Sequence, residues 1–265
     1  MKVIATFIIM VALCCVSNVN AAISEEDYAE LREIFSEARL SIMSDAEKEE
    51  LVNGDLTYNE KVYQVTKTVN NTFIYSEVDS ETADLIEENF NNGIATYGAT
   101  HETSYKRITI IDNYINNNSH DVMVYTQWLV TPATKSFDVT AMRIDGGYVV
   151  EGTQDGTQLY WKDGAYDYVD YSYNGTNIRK ADNGFGISMN LVNGASYFET
   201  DISANVISTS QNAVAYGTYQ HAVTDVTLDQ SQSYTISHNG LGGVLNFSNS
   251  VYKLYDRMAG VSISL

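Results

Sequence analysis

The sequence predicts a mainly β protein: an antiparallel, β-sandwich-like domain with a short N-terminal helical segment. Three observations carry this. Residues 105–114, 121–130 and 137–144 are consecutive β-type runs, and in the second Val122, Val124, Thr126, Trp128 and Val130 share one parity. Successive strand side chains point to opposite faces, so that run is apolar on one face and mixed on the other. Trp128 then reads as the anchor of a sandwich core. Downstream, turn pairs recur roughly every eight to twelve residues between strand formers, the pattern of antiparallel meanders. Helical periodicity, by contrast, is concentrated near the N-terminus.

The elements follow in order. Met1-Lys2, an apolar run over residues 3–16 and a small-residue end over 17–22 describe a secretory signal peptide, cleaved after Ala21 or, nearly as well, Ala22. The run is shorter than the ~20 apolar residues of a spanning helix, and Leu13 before Cys14 argues against lipoprotein processing. The chain thus divides into a signal peptide at 1–21, an acidic helical segment at 22–58 and a β-sandwich-like domain at 59–265. No later run has membrane length, so a secreted, extracellular protein with no transmembrane segment after cleavage is expected, associated with the cell surface. Cleavage removes both cysteines, Cys14 and Cys15. The remaining chain, large enough to fold without disulfides, suits a bacterial exterior. Four glycosylation sequons, at Asn70, Asn117, Asn174 and Asn246, match the number chance predicts and carry no weight. The net charge of −19 repels nucleic acid and excludes it as a partner class.

Ser24 with Glu25, Glu26 and Asp27 can cap a helix, whose apolar stripe is Tyr28, Leu31, Ile34, Phe35, Ala38 and Ile42. Ser44-Asp45 opens a second helix that stops at Asn53-Gly54. Both read as a helical cap over one end of the β domain. Two runs between residues 60 and 77 flank Asn70-Asn71 as a hairpin. A helix over 80–90, capped by Ser80, precedes a loop at 94–103. After the three central runs, which contain the only proline, Pro132, turns at Asp145-Gly146, Glu151-Gly152, Asp155-Gly156, Asp163-Gly164 and Asn174-Gly175 alternate with Tyr and Trp. Tyr166 and Tyr168, then Tyr171 and Tyr173, form same-face pairs offset by one residue, as a bulge would produce. Strand-like runs over 196–237 with a turn at 208–212, a glycine bend at 240–243, a short helix at 250–258 and a last strand at 261–265 complete one domain.

Two stretches resemble a known group. Trp128-Leu129-Val130-Thr131-Pro132 with Lys135-Ser136-Phe137-Asp138-Val139, and Leu241-Gly242-Gly243 through Tyr255-Asp256-Arg257-Met258-Ala259-Gly260-Val261, are similar to uncharacterised secreted proteins of Gram-positive bacteria. Together these motifs span much of residues 104–265. The resemblance implies an exported or envelope-associated protein and brings no activity or catalytic residue. Within it, Pro132 is expected to turn the chain between paired strands, and Asp138 to bond nearby backbone.

Chemical motifs are sparse. His101, His120, His221 and His238 lack metal-ligand spacing. Asp163, Asp167 and Asp170 lie near a glycine turn without the offsets of a calcium loop, so no cofactor is expected, calcium being the one left open. There is no Gly-x-Ser-x-Gly elbow, Gly240-Leu241-Gly242-Gly243 lacks the Lys of a phosphate loop, and among 34 acids no pair can be singled out as a glycosidase dyad. Aromatic side chains that stack on sugars or proteins are the clearest functional signal. Tyr160, Trp161, Tyr166 and Tyr168 are the candidate ligand-binding residues. The expected function is a non-enzymatic extracellular or cell-envelope module, binding or structural, with cell-wall polysaccharide or a surface protein as partner. The alternatives are a secreted hydrolase acting on polysaccharide or peptide, and a pore-forming protein built on the alternating runs at 196–227.

Overall fold

The structure, a computed structural model, describes residues 23–67, 73–91, 102–116, 118–238, 243–256 and 260–265. The segment read as a signal peptide, the Asn70-Asn71 turn, most of the 94–103 loop and most of the 240–243 bend lie outside the described residues. No described helix is long and apolar enough to cross a membrane.

Two antiparallel sheets face each other. Their strands are β1 (Asp55–Lys67), β2 (Phe73–Val78), β3 (Glu102–Asn116), β4 (Ser119–Trp128), β5 (Phe137–Asp145), β6 (Gly147–Val149), β7 (Asp155–Lys162), β8 (Ala165–Ser172), β9 (Ile178–Ala181), β10 (Gly184–Asn190), β11 (Tyr197–Ser208), β12 (Val214–Gln220) and β15 (Val261–Ser264), with β13 (Tyr234–Ile236) and β14 (Leu245–Phe247) forming a small separate pair. The first sheet runs β2-β1-β3-β4-β11-β7-β8, with β6 also on β11; the second runs β15-β12-β5-β10-β9. The mainly β, sandwich-like expectation is met.

The alternation read in the sequence builds the core. Ile108, Ile110, Val122, Val124 and Trp128 of the first sheet meet Met142, Ile144, Phe185, Ile187 and Tyr219 of the second. Full burial of each aliphatic side chain contributes about 1.5–3 kcal/mol. The sheets approach closely at Gly217, where an added Cβ would lie 2.7 Å from Val124 Cγ2.

The other parity is buried as well. Ile111, Met123 and Tyr125 pack against Leu31, Phe35, Leu40 and Leu51 of the N-terminal helices α1 (Glu25–Ile34), α2 (Glu37–Ile42) and α3 (Asp45–Asn53). The helices therefore cover a sheet face and not an end. The single stripe over Tyr28 to Ile42 is broken in two, because the Ser36 hydroxyl accepts the Arg39 N–H at 3.0 Å and starts a new helix. The outer face of the second sheet is covered too: Val139 and Ala141 pack under Tyr234, Val244, Leu245, Phe247 and Tyr255.

Several expectations change. Pro132 lies between β4 and β5, which belong to different sheets, so it carries the crossover rather than a turn between paired strands. The β7–β8 register runs unbroken from Asp155↔Ser172 to Lys162↔Ala165, so no bulge separates the tyrosine pairs. Helix α4 (Ser80–Asn91) takes its cap from Asp79, whose carboxylate accepts the Thr82 N–H at 2.8 Å. The helix read at 250–258 is a single 3-10 turn, Tyr252–Leu254. A short helix α5 (Leu228–Ser231), capped by Thr227, interrupts the strand-like run at 196–237. The turn expected at 208–212 is present and joins β11 to β12, which sit in different sheets.

Candidate functional site

The candidate aromatic residues lie on the β7–β8 hairpin at one edge of the first sheet. Its turn is Asp163-Gly164, both at positive φ (53° and 88°), the backbone a two-residue type I′ hairpin requires. The register places Trp161 opposite Tyr166 and Leu159 opposite Tyr168. Alternation then puts Trp161, Tyr166 and Tyr168 on one face. All three are exposed, at 37%, 44% and 50%. Trp161 and Tyr166 meet edge to face with centroids 4.7 Å apart, and Tyr166 continues to Tyr197 at 5.7 Å. Tyr160 falls on the opposite face, packs against the core and donates its hydroxyl to Asp167 at 3.0 Å. Of the four candidates, three are thus brought together and one is not.

The acids of this hairpin are dispersed. Asp163 is at the turn, Asp167 serves Tyr160 and the Tyr168 N–H, and Asp170 accepts from Thr157. Among the described residues no group of three or more His, Cys, Asp or Glu is placed to hold a metal ion. Three histidines instead each face one acid: His120 with Asp112, His221 with Asp138 and His238 with Asp145. His101 lies outside the described residues.

Sequence reasoning missed a buried polar network between the sheets. Lys106 of β3 has a fully buried side chain, and its Nζ donates to Asp256 Oδ2; the Asp256 side chain is 1% exposed. The His221 N–H donates to Asp256 Oδ1 at 2.9 Å. The His221 ring reaches Asp138 through Nδ1, also at 2.9 Å. Asp138 further accepts the Ala222 N–H at 2.9 Å and the Tyr219 hydroxyl, which itself accepts from Trp128 Nε1 at 2.9 Å. Asp138 does bond backbone, but backbone distant in sequence, and three side chains share in the arrangement. One sequence signal was available. Lys106 shares the parity of Ile108 and Ile110, so a lysine occupies a core position of a strand. Trp128, Asp138 and Asp256 also belong to the two resemblance motifs, which converge here.

A third feature is an acidic cleft of about 310 Å³ where α3 meets the first sheet, lined by Arg39, Glu47, Glu50, Asp121, Asp155 and Ser203, among others. Burial, reinforced by Glu50, Asp155 and Asp112, pushes the Asp121 carboxyl up to about 7. Beside the cleft, Arg39 forks onto Asp201 (Nη2–Oδ1 3.2 Å, Nε–Oδ2 3.1 Å), where burial outweighs the arginine and lifts Asp201 to about 6.

A scan against protein-family models matches none, and a search of curated proteins finds no match. Among solved structures, the chain is similar to the pilus backbone protein RrgB of Streptococcus pneumoniae (10% identity, 41% of this chain and 26% of that chain, TM-score 0.27). It is also similar to the collagen-binding domain of the Erysipelothrix rhusiopathiae surface protein RspB (12% identity, 62% and 63%, TM-score 0.27). A third is the C-terminal domain of the Streptococcus agalactiae AgI/II polypeptide BspA (8% identity, 67% and 83%, TM-score 0.22). The chain spans about a quarter of the length of the pilus protein it matches. Likeness of this size transfers no function, which has to come from the chain's own residues.

Proposed function

We propose that this chain is an exported, non-enzymatic module of the cell envelope or extracellular space that binds cell-wall polysaccharide through Trp161, Tyr166 and Tyr168. The observation that carries this reading is the exposed aromatic face on the edge hairpin. Three exposed rings share one side of the hairpin, and two of them, Trp161 and Tyr166, brace each other edge to face. Such rings lose little conformational freedom on contact, offer flat apolar area to sugar rings and keep their hydroxyl and indole N–H groups for hydrogen bonds. The hairpin is anchored by Leu159, which is buried, and by Tyr160, which packs against the core.

The test is a pull-down on cell-wall preparations with the wild-type chain and a variant carrying Trp161→Ala, Tyr166→Ala and Tyr168→Ala. Loss of binding with an unchanged circular dichroism spectrum is expected. Tyr160→Ala, which alters the inner face, should leave binding in place. Retained binding by the triple variant would remove these residues from the site, and binding to a surface-protein fraction alone would replace polysaccharide by protein as the partner.

A further inference from the structure

We propose that Lys106 and Asp256 condense to an intramolecular amide, Nζ to Cγ, tying β3 to the C-terminal segment. This stands apart from the aromatic surface and rests on the buried network alone.

The first observation is the pair itself. An ammonium and a carboxylate, both with essentially no exposed side-chain surface, are in direct contact in the core. Lysine is almost never fully buried unless it is paired, and an ion pair in such a site recovers its desolvation cost only with near-complete hydrogen bonding. An amide at the same place removes both charges.

The second observation is the setting. The ammonium lies 5.1 Å from the Trp128 ring centroid and 5.3 Å from that of Tyr219, rings from opposite sheets that keep water away. Trp128 also meets the His221 ring edge to face at 4.8 Å. Asp256 is fixed from both sides: the Asp256 N–H donates to the His221 carbonyl at 2.9 Å, and the His221 N–H returns to Asp256 Oδ1. Holding two reacting groups in one geometry makes their reaction effectively unimolecular.

The step balances without any further reactant. One proton passes from Nζ to the Asp256 carboxyl, leaving a neutral amine and a carboxylic acid. The amine lone pair adds to Cγ, and negative charge gathers on Oδ1, at which the His221 main-chain N–H is already aimed, as an oxyanion donor would be. A second proton moves from nitrogen to the departing oxygen, the C–O bond breaks, and one water leaves. Nothing is oxidised or reduced. Asp138 is a positioning residue: it grips the His221 ring and the Ala222 N–H, and so orients the turn that presents the His221 N–H.

The product would close a ring between residues 150 positions apart in sequence. It would clamp the first sheet to the strap that follows the 3-10 turn, a mechanical tie in a chain without cysteines beyond Cys14 and Cys15.

Intact mass spectrometry of the purified wild-type chain, after its N-terminus is determined, tests this directly. The expected mass is lower than the sequence mass by one water, and a protease digest should yield a branched peptide joining Lys106 to Asp256. Lys106→Arg and Asp256→Ala should each restore the full mass. Asp256→Asn should form the same link with loss of ammonia. Asp138→Glu should still link, and more slowly, whereas Asp138→Ala should accumulate unlinked chain. A full-mass wild-type protein with a β-type circular dichroism spectrum would overturn the proposal. So would a water loss mapped to a linear peptide, the sign of a cyclic imide at an aspartate. The wild-type measurement needs no variant to fold.

Discussion

Replacing Asp121 by asparagine should make this protein more stable at neutral and alkaline pH. Asp121 is half-buried in β4 at the mouth of the acidic cleft, and the charges acting on it come from Glu50, Asp155 and Asp112. Its carboxyl rises from 3.8 to about 7, chiefly through burial. Between these values the folded chain holds a proton that the unfolded chain has released. The folded state therefore binds more protons, and stability falls as pH rises through this window. At about 1.4 kcal/mol for each pH unit, the penalty above pH ~7 has a ceiling of about 4 kcal/mol. Water in the cleft and relaxation of the neighbouring acids reduce it, so a gain of about 1–2 kcal/mol for Asp121→Asn near pH 8 is expected. Near pH 4 the wild-type penalty has shrunk to about 0.5 kcal/mol or less, and the two proteins should nearly coincide. Urea unfolding followed by tryptophan fluorescence at the two pH values measures both differences. A variant no more stable than wild type near pH 8, or equally stabilised at both pH values, would refute the reasoning.

Three further expectations follow from particular contacts. Gly217→Ala puts a Cβ 2.7–2.9 Å from the Val124 methyl carbons, and overpacking of this kind costs about 1–3 kcal/mol; adding Val124→Ala should make the pair less than additive by at least about 0.5 kcal/mol in a denaturation cycle, and strict additivity would show that the sheets do not touch there. Arg39→Met leaves Asp201 buried without its guanidinium, at a cost of about 3–5 kcal/mol. That cost should shrink as pH falls through the Asp201 carboxyl's raised value, about 6 with the arginine in place and higher without it, so a pH-independent loss in urea melts would count against the pair. Ser44→Ala removes the hydroxyl that accepts the Glu47 N–H at 3.2 Å and should lower stability by about 1 kcal/mol, read as a shift in thermal midpoint.

What was legible in the sequence was local. Alternation along residues 105–130 located β3 and β4 and the inward face of Trp128, because a strand's period of two is written in its residues. Ser24 and Ser44 marked true helix starts, because a cap needs only the next turn. The candidate rings were half legible in the same way. Asp163-Gly164 fixes the hairpin register, and that register decides that Trp161, Tyr166 and Tyr168 share a face while Tyr160 does not. The one-residue offset before Tyr171 mimics a bulge in the sequence, but Tyr171 turns to the core side of an unbroken ladder.

By itself, then, the sequence determined the β class, the helical N-terminus and the positions of most strands, all consequences of interactions between near neighbours. Only the tertiary structure decided which strands belong to which sheet, and that the helices cover a sheet face. It alone made Pro132 a crossover between sheets. It alone brought Lys106, Asp138, His221 and Asp256 into one buried contact. Asp256 is 150 residues from Lys106, and neither residue carries a local mark of the other. Their meeting depends on sheet order and on the strap that returns after β12. Those are set by how the whole chain buries its apolar faces, which no local pattern records.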